Sequence, residues 1–541
     1  VAAALALAAL APRAEAQGFT PTPASIERPQ PGIDVLDYAF DVRMAWERPV
    51  VDGSARITFV RTAGTSELRL DALNFRGVTA TVGGRAVTPR MLDSGFALPL
   101  AGATGDTLVA TVTWQVQPAD GLIIRGQRET WTAFGDHWPN RARHWLPVVD
   151  HPSDKATVQW TVRIAPGYRV VANGVDAGVD TSGGTVTWRF RQAQPIPTYL
   201  MVIGLGRLDE VPLGSTACGA GPNGGCVPQS VLVAPAVRAG FPGTFAQAGE
   251  IVRFFASLLG PFPYDKLQHV QSQTRFGGME NAGVIFYAWN LFSATKPFEA
   301  GLIAHETAHQ WFGDNVTERA WAHAWLSEGF ATYLAAMYTE HARGDSAFRA
   351  EIAKLRADVM ASPVSRTRPV IDTAQGILLQ LLNTNSYQKG GHVLHMLRRE
   401  IGDSAFVRAM RRYQAAFAGG TALTQDFQAA CEAESGQSLG WFFEQWLTRP
   451  GWAQLAWWWR MENGRAVVAV TQPGPQPPYR LSLPVELTYA DGSTELRLLQ
   501  LPANGGATFR LALAPGKVVR TLRADPRGDL LAAITALPAP Q

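Results

Sequence analysis

The sequence predicts a multidomain α+β protein in three successive blocks: an N-terminal antiparallel β-sandwich or saddle, an α-rich middle and a small C-terminal β-sandwich. Three observations carry this. Apolar and polar residues alternate in short runs from about 30 to 210; the repeat lengthens to three and four residues from about 245 to 447; alternation returns after Pro450. Length agrees, because 541 residues at ~100–200 per domain give roughly three domains. The expected divisions are residues 1–16, 17–215, 216–450 and 451–541.

The first block, VAAALALAALAPRAEAQ, has an apolar run from Val1 to Ala11 and an A-x-A site at Ala14–Ala16. That is the pattern of a secretory signal peptide, without a basic segment ahead of it. It predicts export to a periplasmic or extracellular space. The second block contains FDVRMAW, ARITFVR, SELRLDAL, TLVATVTWQV, ATVQWTVRI, TVTWRFR and YLMVIGLGRL, separated by Gly, Pro, Asp and Asn. Such punctuated alternation is the pattern of half-buried strands. In the third block AQAGEIVRFFASLLG, WLSEGFATYLAAMYTEHARG and DSAFVRAMRRYQAAFA place apolar residues on one helical face. The last block returns to strands with RAVVAVTQ, LSLPVELTYADG, TELRLLQLP and ATFRLALAPG.

Composition excludes some classes. With 48 basic and 45 acidic residues and no long basic run, nucleic acid is not an expected partner. No run reaches ~18 uninterrupted apolar residues, so no stable membrane insertion is expected. Nothing in the sequence sets an oligomeric state. Three cysteines are too few for a disulfide framework; Cys218 and Cys226 flank a Gly-rich loop and either pair or stay free. Cys431 reads as core, His392 and His395 as core or surface residues, and His137, His144 and His151 as loop residues.

The chemistry concentrates in HETAHQWFGD, 305–314. On a helix taken over 299–313, His305 and His309 are about 400° apart in rotation, so both point to one side. Two imidazoles so spaced reach one metal ion, and Glu306, rotated by about 100°, borders it without ligating it. A catalytic zinc wants three protein ligands and one open position. Glu328, in WLSEGFATYL with 18 residues between it and His309, is the candidate third, since a carboxylate on an apolar helix is costly unless paired. Water in the open position has its pKa lowered to ~7, and Glu306 is placed to take its proton and pass it to a leaving amine.

Upstream lies RFGGMENAGVIFY, 275–287. Gly277 and Gly278 remove side chains where a substrate backbone approaches. Glu280 would pair with the free α-ammonium of a peptide, which fixes which bond lies over the metal. Residues 284–287 read as an edge strand able to pair with the substrate main chain. The MEN tripeptide recurs at 461–463, where it reads as the approach to a turn at Gly464. Met279 and Phe276 suggest an apolar side-chain pocket.

RFGGMENAGVIFY, HETAHQWFGD, WLSEGFATY and SYQKGGHVLHMLRREIG, in this order across about 275–400, resemble the M1 family of zinc aminopeptidases, gluzincins with a thermolysin-like catalytic domain. The resemblance implies one Zn2+ per chain held by His305, His309 and Glu328, with Glu306 as general base. It implies an exopeptidase motif at Gly277, Gly278, Met279, Glu280 and Asn281. It also implies that Tyr387 stabilises the tetrahedral intermediate, and that substrates are peptides with a free N-terminus. Two departures are visible. Many members supply a second amine anchor, a Glu or Gln upstream of an Arg-x-x-x-Pro segment. Here Arg143 and Pro147 fit that segment, but Asp136, His137 and Trp138 fall where the anchor is expected, with Asp136 the best candidate. Many relatives also carry a large C-terminal helical domain; a β-sandwich in its place implies a more open cleft. Alternative functions compatible with the motif are a thermolysin-like endopeptidase, which Glu280 argues against, an epoxide hydrolase-like zinc enzyme, and an inactive peptide-binding module.

Overall fold

The computed structural model describes residues 30–540 except 104, 215, 241–244 and 293–299. The expected signal segment lies outside the described residues. The chain forms an N-terminal β-rich region, a helical region and a C-terminal β region, in that order.

By packing it divides into two compact units. One comprises the chain through Ser327 with Ala374–Leu382 and Arg411–Leu423; the other comprises Glu328–Thr373, Asn383–Met410 and Thr424 onward. The changes of periodicity near 215 and 450 are therefore changes of secondary structure, while helices Trp325–Arg343 and Asp403–Phe417 run through the division.

In the first unit an eight-stranded sheet runs, in spatial order, Val175–Ser182, Thr185–Pro197, Lys155–Ile164, Ile33–Ala45, Arg48–Arg61, Thr107–Val116, Arg76–Val82 and Arg85–Val87. It is not wholly antiparallel: Ile33–Ala45 pairs parallel with Lys155–Ile164. Alternation explains the pairing. Tyr38, Phe40, Val42 and Met44 point to one face and are buried. In register, Phe40 lies opposite Trp160, with ring centroids 5.0 Å apart. Burying each such ring contributes about 1.5–3 kcal/mol.

After a three-stranded sheet within residues 67–99 and a four-stranded sheet within 122–206 comes the five-stranded sheet that carries the GGMEN segment. Its spatial order is Asp209–Pro212, Gln229–Val233, Leu267–Ser272, Val284–Ala288 and Gly278–Met279. Its inner strands pair parallel, and Gly278–Met279 adds antiparallel at one side. Helix Ala248–Leu259 ends where Gly260 takes φ 111°, a conformation that an L side chain resists. Cys218 and Cys226 are joined by a disulfide.

In the second unit a four-stranded sheet (Gly506–Ala512, Arg465–Thr471, Ala453–Glu462, Ala532–Ala536) and a three-stranded sheet (Thr494–Leu501, Leu481–Tyr489, Val519–Ala524) form the C-terminal β region. The second MEN tripeptide leads into a two-residue hairpin turn, Asn463–Gly464, with φ 49° and 72°, the Asn-Gly signature of a tight hairpin. Cys431 is a buried free thiol, and burial pushes its pKa up. His392 and His395 are buried, His395 within 2.9 Å of Asp529. Among the described residues no helix is long and apolar enough to cross a membrane.

Candidate metal centre

The histidine helix spans Ala300–His309, shorter at its end than the pattern suggested; residues 310–313 turn instead. Eight of its ten residues, Leu302 to His309, are buried, which explains why its sequence is apolar on every side but for the two imidazoles, Glu306 and the small Thr307. His305 and His309 bring their Nε2 atoms to 3.1 Å, with ring planes 80° apart and centroids at 4.7 Å. Nδ1 of His309 lies 3.1 Å from the Phe312 carbonyl and 2.9 Å from Ser327 Oγ. A proton on Nδ1, donated to that carbonyl, leaves the Nε2 lone pair toward His305, the arrangement of a metal-ligating histidine.

Ser327 also explains how Glu328 reaches the pair. Ser327 and Glu328 are successive residues in the first turn of Trp325–Arg343, so the Ser327 contact with His309 carries Glu328 with it. Ligand atoms of His305, His309 and Glu328 all lie within 4.8 Å of one another, and all three residues are buried. Two imidazoles and a carboxylate are the donor set of a catalytic zinc site, so these residues fit that ion. Gly313 leaves room for the arrangement: a Cβ there would lie 3.2 Å from Ser327 Cβ and 3.3 Å from His309 Nδ1.

A second cluster adjoins the first. Ligand atoms of Glu280, Glu306 and His309 also lie within 4.8 Å of one another. Gln310 holds the MEN segment in place, its Nε2 donating to the Glu280 carbonyl at 2.7 Å and its Oε1 accepting from Gly283 N–H at 2.8 Å. Gly277, Met279 and Asn281 are buried and Gly278 half-buried. Residues 284–287 are not an edge strand: Val284–Ala288 lies between Leu267–Ser272 and Gly278–Met279. The edge belongs to Gly278–Met279, paired as Gly278↔Tyr287 and Met279↔Phe286. Two residues carry no periodicity, so sequence alone assigned the edge to the longer apolar run.

Tyr387 is half-buried in a wide helical turn, Asn385–Lys389, leading into helix Gly390–Ile401. Asn385 anchors the turn, donating through Nδ2 to the Arg368 and Pro369 carbonyls at 2.9 and 3.0 Å. Gly329 brings this segment against the helix that carries Glu328. A Cβ on Gly329 would lie 3.0 Å from the Gly390 carbonyl carbon and 3.2 Å from the Ser386 carbonyl oxygen. Only hydrogen at 329 allows the two backbones to meet, which places the residues flanking Glu328 and Tyr387 side by side.

Three residues escaped the sequence reading: Ser327, Gln310 and Asp314. All lie inside the quoted motifs, but their polar side chains act through neighbours and no spacing rule singles them out. Asp314 is fully buried, and burial, then the neighbouring Glu280 carboxylate, push its pKa well up. Of the loop histidines, His137 is fully buried and accepts from Trp145 Nε1–H at 2.7 Å; burial lowers its pKa to about 4.

The Peptidase family M1 domain matches residues 244–446, and the Peptidase M1 N-terminal domain matches 123–200. Probable aminopeptidase 1 of Saccharolobus solfataricus is 28% identical over 328 residues, 57% of this chain and 40% of that protein. Leucyl aminopeptidase of the same organism is 26% identical over 356 residues, 62% of this chain and 42% of that protein. This chain thus spans about two fifths of the length of these relatives. Among solved structures, the M1 zinc metallopeptidase from Deinococcus radiodurans superposes with TM-score 0.68 at 26% identity, covering 78% of this chain and 95% of that one. A point mutant of that metallopeptidase, bound to a Tyr-Ser-Ala substrate, gives the same score, identity and coverage. The two domain models follow each other in family order, and the histidine helix, Glu328 and the GGMEN segment fall within the second. The chain therefore belongs to peptidase family M1.

Proposed function

We propose that the protein is a zinc-dependent aminopeptidase that removes the N-terminal residue from peptides with a free α-amine. The observation that carries this is the adjacency of the two acid-containing clusters. Glu280 and Glu306 share His309 as a neighbour within 4.8 Å, and His309 lies within the same distance of His305 and Glu328. In a peptide, the α-amine nitrogen and the first carbonyl carbon are only two bonds, about 2.5 Å, apart. An acid that grips the amine beside the metal therefore leaves the first peptide bond, and no later one, over the ion.

His305, His309 and Glu328 would hold the zinc through two imidazole nitrogens and a carboxylate oxygen. A zinc ion in this donor set supplies Lewis acidity, lowering the pKa of water to about 7 and polarising a carbonyl. Glu280 binds and orients the substrate ammonium. The outer edge of Gly278–Met279 receives the substrate backbone in extended form. Glu306 takes a proton from the attacking water on its carboxylate and returns it to the departing amine nitrogen. Tyr387 donates its hydroxyl proton in a hydrogen bond to the developing oxyanion, a contribution of about 2.7–4 kcal/mol per donor in comparable sites. Met279 and Phe276 line the pocket for the first side chain.

The Cys218–Cys226 disulfide supports export to an oxidising, periplasmic or extracellular space. The function is tested with a panel of aminoacyl-arylamides, each with and without an N-acetyl block, assayed before chelation, after chelation and after zinc add-back. Hydrolysis of free-amine substrates alone, lost with chelator and regained with zinc, is the expected result. Equal cleavage of blocked substrates would indicate an endopeptidase instead.

A further inference from the structure

Beneath the FGGME segment two acids and two arginines close into a quartet. Asp120 precedes strand Leu122–Arg125, and Asp136 follows its partner strand Thr132–Gly135. The antiparallel register brings both acids to one end of the pair, where Asp136 N–H donates to the Gly121 carbonyl at 2.8 Å. Arg141 joins them, Nη1 at 3.0 Å from Asp120 and Nη2 at 3.1 Å from Asp136. Its Nε donates to the Trp138 carbonyl at 2.8 Å, and its guanidinium lies 5.9 Å from the Phe276 ring centroid. Arg275 closes the ring: Nη2 binds Asp120, and Nε lies 3.7 Å from Asp136. Thr274 Oγ1 donates to Asp136 at 3.2 Å. Side-chain exposure is 1% for Asp120, 0% for Asp136 and 4% for Arg141, but 33% for Arg275.

Two negative and two positive charges balance inside the quartet. Asp136, the sequence's candidate for a second amine anchor, thus already faces two guanidinium groups and a hydroxyl. Buried and paired, it has no charge left unmatched for a substrate ammonium. The contacts from Thr274 and Arg275 reach the chain only a few residues before the Gly278–Met279 edge strand and Glu280.

We infer that Asp120, Asp136 and Arg141 are positioning residues that clamp Thr274–Phe276, setting the placement of the edge strand and of Glu280, and that Asp136 does not itself receive the substrate's amine. This rests on the aminopeptidase reading above. The site then grips the amine with one acid, Glu280, and its accuracy depends on a buried ion network in the β-rich region.

The test is a mutant cycle in the full-length, zinc-loaded protein with leucine p-nitroanilide: Asp120→Asn, Asp136→Asn, Arg275→Gln and the double variant Asp136→Asn/Arg275→Gln. Each single change is expected to raise KM about tenfold with kcat within about twofold, and the double variant to be no worse than either single, because members of one network do not add. Arg275→Lys, at the partly exposed corner, guards against misfolding; it keeps the charge but not the fork, and should raise KM less. Additive effects, or a KM rise confined to Asp136→Asn, overturn the inference, since Asp136 would then act on the substrate. Hydrogen exchange of residues 274–280 in the metal-free protein separates this from the functional reading. Faster exchange in Arg275→Gln supports the clamp even if the parent proves inactive on the arylamide; unchanged exchange refutes the clamp even if the parent is active.

Discussion

A Cβ at residue 278 would lie 2.6 Å from Cγ of Glu306 and closer still to its carboxylate. Gly278 and Glu306 therefore share one small volume, in which the main chain of the edge strand packs directly on the carboxylate beside the histidines. The closeness is possible because residue 278 lacks a side chain, and it gives the second glycine of RFGGMEN a physical reason.

Gly278→Ala should consequently displace the Glu306 carboxylate rather than remove it. A misplacement of ~1 Å at a reacting group costs on the order of 10²-fold in rate. We expect kcat to fall by about that factor while zinc content and Tm stay near those of the parent. Metal analysis beside steady-state kinetics checks this; an unchanged kcat would mean that the Glu306 position is immaterial.

Glu280→Ala should act on the amine. Loss of a charge-assisted contact predicts a KM rise of about 10- to 100-fold for free-amine arylamides. Amine-bearing inhibitors should weaken in parallel. Tyr387→Phe should instead lower kcat with little change in KM, because its hydroxyl serves the transition state. The two variants assayed on one substrate should separate cleanly along these axes.

One component of stability, carried by Asp154, should fall with rising pH. Asp154 is buried, accepts from Val35 N–H at 3.3 Å, and has its pKa raised to about 8, chiefly by burial. In the unfolded chain an aspartate titrates near 3.9. Between about pH 4 and 8 the folded state therefore holds a proton that the unfolded state lacks. The resulting stabilisation is complete below about pH 4 and is lost as pH rises through 8. His137 and His269, lowered to about 4 and about 3 mainly by burial, act oppositely, and only as pH falls below about 6.5. Urea unfolding from pH 5 to 9 should show Asp154→Asn gaining on the parent as pH rises; parallel curves would rule out this role for Asp154.

The disulfide closes a short loop, with eight residues of sequence separation. Chain entropy assigns it about 2–3 kcal/mol. Cys218→Ser/Cys226→Ser should lose up to that amount in denaturant unfolding, and reductant should destabilise the parent but not the variant.

The order of strand and helix blocks was legible because burial on one face imposes a period of two or of three to four. The run Tyr38, Phe40, Val42, Met44 shows it plainly. What that period leaves open is the partner: the parallel register of Phe40 with Trp160 spans 120 residues of chain, and no local pattern encodes it. His305 and His309 were legible because helical geometry sets their four-residue spacing, and Glu328 because a carboxylate on an otherwise apolar helix needs a partner. Their supports were not. Ser327, Gln310 and Gly329 act through contacts that only the folded chain creates. Asp136 was legible as an acid in the right segment, while its engagement with Arg141 and Arg275 was not. The two-residue edge strand left no periodic trace, so its place was given to residues 284–287.

The proposed chemistry stands on His305, His309 and Glu328 converging on one divalent cation, while Glu280 and Glu306 serve substrate and proton. An anomalous-scattering map at the zinc edge, from crystals grown with zinc, measures that convergence without an assay. The expected result is a single ion with imidazole nitrogens of His305 and His309 at about 2.0–2.1 Å and a Glu328 oxygen at about 2.0–2.2 Å. An ion seated instead among Glu280, Glu306 and His309, or a Glu328 carboxylate turned away from it, would overturn the assignment.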